Sequence, residues 1–216
     1  MSQLKLSPRW QRRKEARPSE LIAAALELFV ERGYAATRLE DVAMRAGVSK
    51  GTLYLYFDSK AELFKAVVQE GIISVIAEGE ELLKTSSYPP EQLLKEFLHR
   101  WWQQIGTTHW AGIPKLVIAE ACNFPEIAQY YHTHVIARGL KLLESALELG
   151  IEQRVFRPLN VHHLAQILIF PLLMFSVCKT SCISYMPEVN DSNAYLDTYF
   201  EFILSGLLTV PQGDMS

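Results

Sequence analysis

Residues 37–64 read TRLEDVAMRAGVSKGTLYLYFDSKAELF, and this stretch contains three helix starts and one abrupt stop. Thr37 stands three positions before Glu40, the spacing at which a hydroxyl accepts from a first-turn amide while the carboxylate reaches back, a capping box. The helix expected there buries Leu39, Val42, Ala43 and Ala46 and stops at Gly47, the residue type that enters left-handed backbone at least cost. Ser49 is placed to cap a short helix from Lys50 to Phe57, with Leu53 and Phe57 beneath Lys50, Thr52, Tyr54 and Tyr56. Ser59 and Glu62 repeat the capping-box spacing and open a longer helix whose apolar side is Leu63, Phe64, Val67 and Val68.

Upstream, Leu21, Ile22, Ala25, Leu28 and Phe29 recur at helical spacing, and Pro18 suits the first turn of that helix. Two short helices joined by a glycine turn and braced by a longer one give the outline of a helix-turn-helix, whose second helix enters the DNA major groove by its N-terminal part. Gly51 removes bulk there, Thr52 offers a hydroxyl and a methyl, and Lys50 can donate to guanine O6 or N7. Tyr54 and Tyr56 can donate to phosphates, and Lys60 adds charge at the start of the next helix.

Residues 21–67, LIAAALELFVERGYAATRLEDVAMRAGVSKGTLYLYFDSKAELFKAV, resemble the DNA-binding domain of the tetracycline repressor (TetR) family of transcriptional regulators, most specifically in GVSKGTLYLYFDSKAELF. The resemblance implies that Ser49 to Phe57 is the recognition helix. It also implies that Thr37 and Arg38 touch phosphates, that Tyr54, Tyr56 and Lys60 clamp the backbone, and that Lys50, Gly51, Thr52 and Leu55 read bases. The arm from Arg9 to Arg17 is either a contact to flanking phosphates or a minor groove, or a solvated tail.

Charge is distributed in the same sense. Residues 1–60 hold 11 Lys and Arg against 7 Asp and Glu, while the remainder of the 216-residue chain holds 10 against 17. The basic front end suits a polyanion that the net charge of −3 conceals. With 49% hydrophobic residues the composition is that of a globular protein, excluding low-complexity and fibrous classes. The three cysteines, Cys122, Cys178 and Cys182, lack paired C-x-x-C spacing and fit a reducing compartment. Met1 to Lys5 has no secretory apolar stretch behind it. Leu164 to Cys178, interrupted by Gln166 and Pro171, falls short of the roughly 20 apolar residues that cross a bilayer. The expectation is a cytoplasmic protein with no membrane partner.

Helical periodicity recurs almost to the C-terminus, with punctuation at Thr85 to Pro90, Thr107 to Pro114, Asn123 to Pro125, Arg154 to Pro158 and Met186 to Asp191. The expected fold is all-α with about nine helices. Residues 1–17 form a basic arm, 18–65 a helix-turn-helix domain, and 66–216 a helical ligand-binding and dimerisation domain. Val161 to Cys178 and Tyr195 to Leu208 are apolar over much of their circumference, so a homodimer through residues 160–182 and 192–209 is expected.

The family resemblance implies a small-molecule site in this second part. Its candidate lining is Phe97, Trp101, Trp110, Tyr130, Tyr131, Phe170 and Met174, with Trp102 and Phe175 nearby and Glu120, His134 and Cys178 as polar groups. Such an interior suits an apolar, aromatic or cationic effector. The implied mechanism is a repressor on a palindromic operator, with recognition helices about 34–36 Å apart or a related repeat. The effector releases it through the helix that opens at Ser59.

Three other chemistries have a partial footing in the sequence. Gly47 to Gly51 satisfies G-x-S-x-G, the nucleophile elbow of a serine hydrolase using Ser49, but that motif needs a strand in front of it and a capped helix stands there instead. His132/His134 and His162/His163 lack the i, i+4 spacing of a helical metal site. Cys178 and Cys182 have that spacing, which leaves a thiol or metal sensor of the same fold as a competing reading, against plain buried cysteines. No metal or cofactor is expected, and no enzyme.

Overall fold

Every long apolar periodicity in the chain becomes a helix, nine of them among the described residues: α1 (Pro8–Ala36), α2 (Leu39–Arg45), α3 (Lys50–Tyr54), α4 (60–85), α5 (90–106), α6 (109–120), α7 (125–152), α8 (Val161–Cys182) and α9 (Ser192–Leu207). The computed structural model describes residues 8–182 and 191–209, with the side chains of residues 8–17, Cys182 and Ser192 outside that description. The expectations for the arm's basic side chains, for the Cys178/Cys182 pair and for the Met186 to Asp191 break therefore lie wholly or partly outside the described residues. α1 runs through Pro18 instead of beginning there. Its backbone breaks at Gly33, at φ 83° and ψ 168°.

The front end packs α1, α2, α3 and the start of α4 around Leu21, Phe29, Val42, Leu53, Leu63 and Phe64, all essentially buried. α2 ends as expected, with Gly47 at φ +66° and the Val48 amide donating back to the Ala43 carbonyl. The Ser49 and Ser59 hydroxyls each accept a first-turn amide at 3.1 Å, from Thr52 and Glu62. The first capping box does not form. Arg38 is the residue that precedes α2, without a side-chain cap, and the Thr37 hydroxyl donates to the carbonyls of Leu28 and Gly33. A buried hydroxyl beside two main-chain carbonyls near the break in α1 makes these bonds in place of one to a solvent-accessible amide.

Behind this head, α4 to α7 enclose a second core, with α8 packed on α7 and on parts of α5 and α6. α4, α5 and α7 each contain one widened π turn, at Gln69–Ile73, Trp102–Gly106 and His132–Ile136. α8 is long and apolar enough to cross a membrane, which corrects the expectation that its apolar run falls short. In this fold a stripe of Ala165, Leu168, Leu172 and Ser176 is buried, and the Tyr199 hydroxyl of α9 donates to the Leu168 carbonyl at 2.6 Å.

Candidate nucleic-acid interface and ligand cavity

α3 is held by its inner face and bare on its outer one. Leu53 is fully buried and Phe57 nearly so, while Ser49, Lys50, Gly51, Tyr54 and Leu55 are exposed, Leu55 at 81%. Thr52 and Tyr56 are half-buried. The Ser49 hydroxyl shares a hydrogen bond with the Thr52 hydroxyl at 2.8 Å, so both are oriented before anything docks. Lys50 reaches Glu40 at 2.5 Å, which raises its pKa and lowers that of the carboxylate. It also lies 5.7 Å from the Tyr54 ring centre. α2, against which α3 packs, is tied to α1 by Arg45, paired with Glu27 and Glu31 at 2.7 and 3.0 Å, and by Arg32 of α1 paired with Asp41. The outward side is a short rod of polar, aromatic and aliphatic tips, with Arg38 exposed at the start of α2.

Two of the residues expected at the phosphates point elsewhere. Thr37 is 1% exposed, and its hydroxyl is engaged with main chain. Lys60 turns inward: its ammonium donates to the carbonyls of Tyr34 at 2.6 Å and Ala35 at 3.1 Å and lies 4.5 Å from the Tyr34 ring centre. Burial lowers its pKa, opposed by the nearby Glu120 carboxylate. In the unbound protein the carbonyls where α1 ends hold the ammonium. Replacing Lys60 by Met is expected to lower stability by about 1–2 kcal/mol, the value of a partly exposed charge-assisted bond. The salt slope of DNA binding is expected to stay that of the parent; urea denaturation and salt titrations measure the two effects separately.

Ser49 occupies a capping position after a helix and a glycine turn, and no strand exists among the described residues. A nucleophile elbow therefore lacks its scaffold here. Among the described residues no three His, Cys, Asp or Glu side chains converge as metal ligands. His162 instead meets Glu144 at 2.8 Å.

In the second core, α4 to α8 wall a cavity of about 180 Å³. Phe97, Trp101, Tyr131 and Phe170 line it as expected. The other candidates do not. Trp110 covers Gly71, whose absent side chain leaves room for the indole. Glu120 accepts the Ala35 amide at 3.1 Å. The Tyr130 and His134 rings lie tilted against one another, 4.4 Å between centres, while Met174 is 58% exposed and Cys178 is half-buried. The remaining wall is largely aliphatic, including Ile72, Ile76, Val117, Val135 and Leu143. Sequence reasoning missed these because an aliphatic residue at core spacing carries no mark of the void beside it.

The charged group in the wall is Arg100, paired with Glu96 at 2.6 Å. Among the described residues no carboxylate lines the cavity, which weakens the electrostatic reason for a cationic occupant. Burial pushes the Tyr131 phenol up, so it stays neutral.

Ile167, Phe170 and Met174 on α8, and Phe202 and Leu208 at α9, are exposed. They form an apolar outer surface on the two helices expected to pair.

Residues 21–67 match a family model described as "Bacterial regulatory proteins, tetR family". Over 74 residues the chain is 40% identical to the HTH-type transcriptional activator FasR of Mycolicibacterium smegmatis, a match covering 34% of this chain and 34% of that protein. The matched segment thus spans about a third of that relative. The solved structure of the fatty acid degradation regulator FadR of Bacillus halodurans has a TM-score of 0.74 at 21% identity, covering 94% of this chain and 97% of that one. FadR of Bacillus subtilis, solved in complex with stearoyl-CoA, has a TM-score of 0.67 at 21% identity, covering 87% and 98%. At these identities the likeness is one of fold.

Proposed function

We propose, from the match of residues 21–67 to the model of bacterial regulatory proteins of the tetR family, that this chain is a ligand-responsive transcriptional repressor that binds a palindromic operator in the bacterial cytoplasm as a homodimer. The observation that carries the reading is the outward face of α3, bare at Lys50, Gly51, Tyr54 and Leu55 over a buried Leu53. Lys50, Gly51, Thr52 and Leu55 face bases, Leu55 as an apolar contact to a thymine methyl. Arg38, Tyr54 and Tyr56 hold phosphates, and Ser49 orients Thr52.

The effector is an apolar small molecule held between α4 and α8. The mostly aliphatic and aromatic wall supports this, as does the stearoyl-CoA complex of the Bacillus subtilis protein of the same fold. The exposed apolar face of α8 and α9 supports pairing through these helices, since a lone protomer leaves that face to water.

Selection of bound fragments from genomic DNA, followed by titration over a salt range, tests the function. A palindromic fragment held by two protomers is expected; no enrichment of any sequence would overturn the reading. On that fragment, Lys50→Ala is expected to cost about 1–3 kcal/mol of discrimination and to relax base preference at one position of each half-site. Gel-shift titrations against single-base variants of the fragment measure both.

A further inference from the structure

The wall of the cavity and the DNA-binding head meet at one small joint. α6 contributes Pro114, Val117 and Ile118 to the cavity and ends at Glu120, whose Oε1 accepts the Ala35 amide at 3.1 Å. Its other oxygen accepts from Asn123. From the opposite side Lys60 donates to the Ala35 and Tyr34 carbonyls. Ala35 is thus gripped through both of its main-chain polar groups, the N–H by an acid at the end of a helix that walls the cavity and the C=O by a base at the start of α4. The Tyr34 ring meets the Phe124 ring edge-on at 4.7 Å, just beyond the end of α6.

This grip falls where α1 has lost its own stiffness. Gly33, at φ +83°, breaks the helix two residues before Ala35, so tertiary contacts set the direction in which the chain enters α2 and α3. At the other end of α6, Gly112 packs so closely on Val30 that a Cβ would stand 2.6 Å from it. That contact holds the start of α6 on α1, so a parting of the cavity walls is taken up at the other end of α6, where Glu120 stands.

Resting on the DNA-binding reading above, we infer that Glu120 is a positioning residue that reports the state of the cavity to the recognition helix. A site for a small molecule commonly holds about 300–1,000 Å³, more than the 180 Å³ present, so an occupant must part the walls. Displacing α6 moves the Glu120 carboxylate, the carboxylate moves Ala35, and Ala35 redirects α2 and α3. A signal carried by α4 alone would pass whether or not Glu120 were present.

Gly139 provides an internal occupant for the test, because it lines the cavity and a Cβ there meets its nearest neighbour, Ile76, at an ordinary 3.8 Å. The parent, Glu120→Ala and Glu120→Gln chains are compared with and without Gly139→Val. The readouts are amide hydrogen exchange at residues 34–36 and affinity for the selected operator fragment. In the parent, Gly139→Val is expected to speed that exchange at least about threefold and to weaken operator binding about tenfold, within the usual range of site coupling. In Glu120→Ala the same substitution is expected to change either quantity by less than about twofold. Glu120→Gln, which keeps an acceptor oxygen, is expected to respond as the parent does.

An equal response in the parent and Glu120→Ala overturns the inference, and so does unchanged exchange at residues 34–36 when the parent cavity is filled. If Gly139→Val does not fold, Val135→Ile fills the same cavity. The exchange arm needs no DNA, so failure to find an operator counts against the DNA-binding reading while the joint is still judged.

Discussion

Phe64→Ala is expected to lower the free energy of unfolding by about 3–5 kcal/mol, the range for deleting a buried phenyl ring. Phe64 is fully buried, with the Phe29 and Tyr34 rings edge-on to it at 5.8 and 5.7 Å. It sits on α4 where that helix leaves the head, so the cavity opens between α1, α4 and the Tyr34–Phe124 contact. None of these neighbours is free to collapse. α1 is tied to α2 by ion pairs and to α6 by close packing, and interiors held on several sides relax only in part. A domain is stable by only about 5–15 kcal/mol, so the loss removes a large share of the margin. Urea denaturation followed by circular dichroism measures it, and a loss under about 1 kcal/mol would mean that the ring is not packed as described.

The second large effect concerns assembly. Ile167→Glu with Phe202→Glu is expected to convert the proposed dimer to monomers and to weaken operator binding by at least about 100-fold. Two linked heads gain that much or more from effective concentration. Ile167 is 56% and Phe202 74% exposed, so neither is needed to hold the protomer together, and the melting of the isolated chain is expected to change little. A carboxylate on a surface that pairs with its own copy would be buried without a partner, twice per dimer. Sedimentation equilibrium and operator titration measure the outcome. A substituted chain that stays dimeric would show that the α8 and α9 surface is not the pairing surface.

Both effects depend on contacts that sequence reading reached unequally. The helix-turn-helix was legible because its signals are local. Ser49 and Ser59 sit beside the amides they cap, Gly47 stops α2 by its own backbone freedom, and Leu53 and Phe57 fall on one side of α3 by periodicity alone. The all-helical class followed from the same regularity. Thr37 and Lys60 were misjudged because their choice of partner is a competition across space. Each had a plausible local or DNA-facing role, and each instead satisfies carbonyls near the end of α1, Thr37 reaching back nine residues and Lys60 back 26.

The cavity lies further from the reach of sequence. Four of the aromatic candidates line it, but Trp110, Tyr130 and Glu120 are engaged elsewhere, Glu120 with an amide 85 residues away.

What the sequence by itself determined is the helical class, the capped and bare recognition helix, and the apolar character of α8 and α9, since each depends on spacing within a few turns of one chain segment. Only the tertiary structure decided that Lys60 faces inward, that the void is walled by aliphatic and aromatic residues with no carboxylate among the described residues, and that Glu120 grips the head at Ala35. Voids and long-range hydrogen bonds are properties of how helices meet, and the register of that meeting is set by the packing of the whole core.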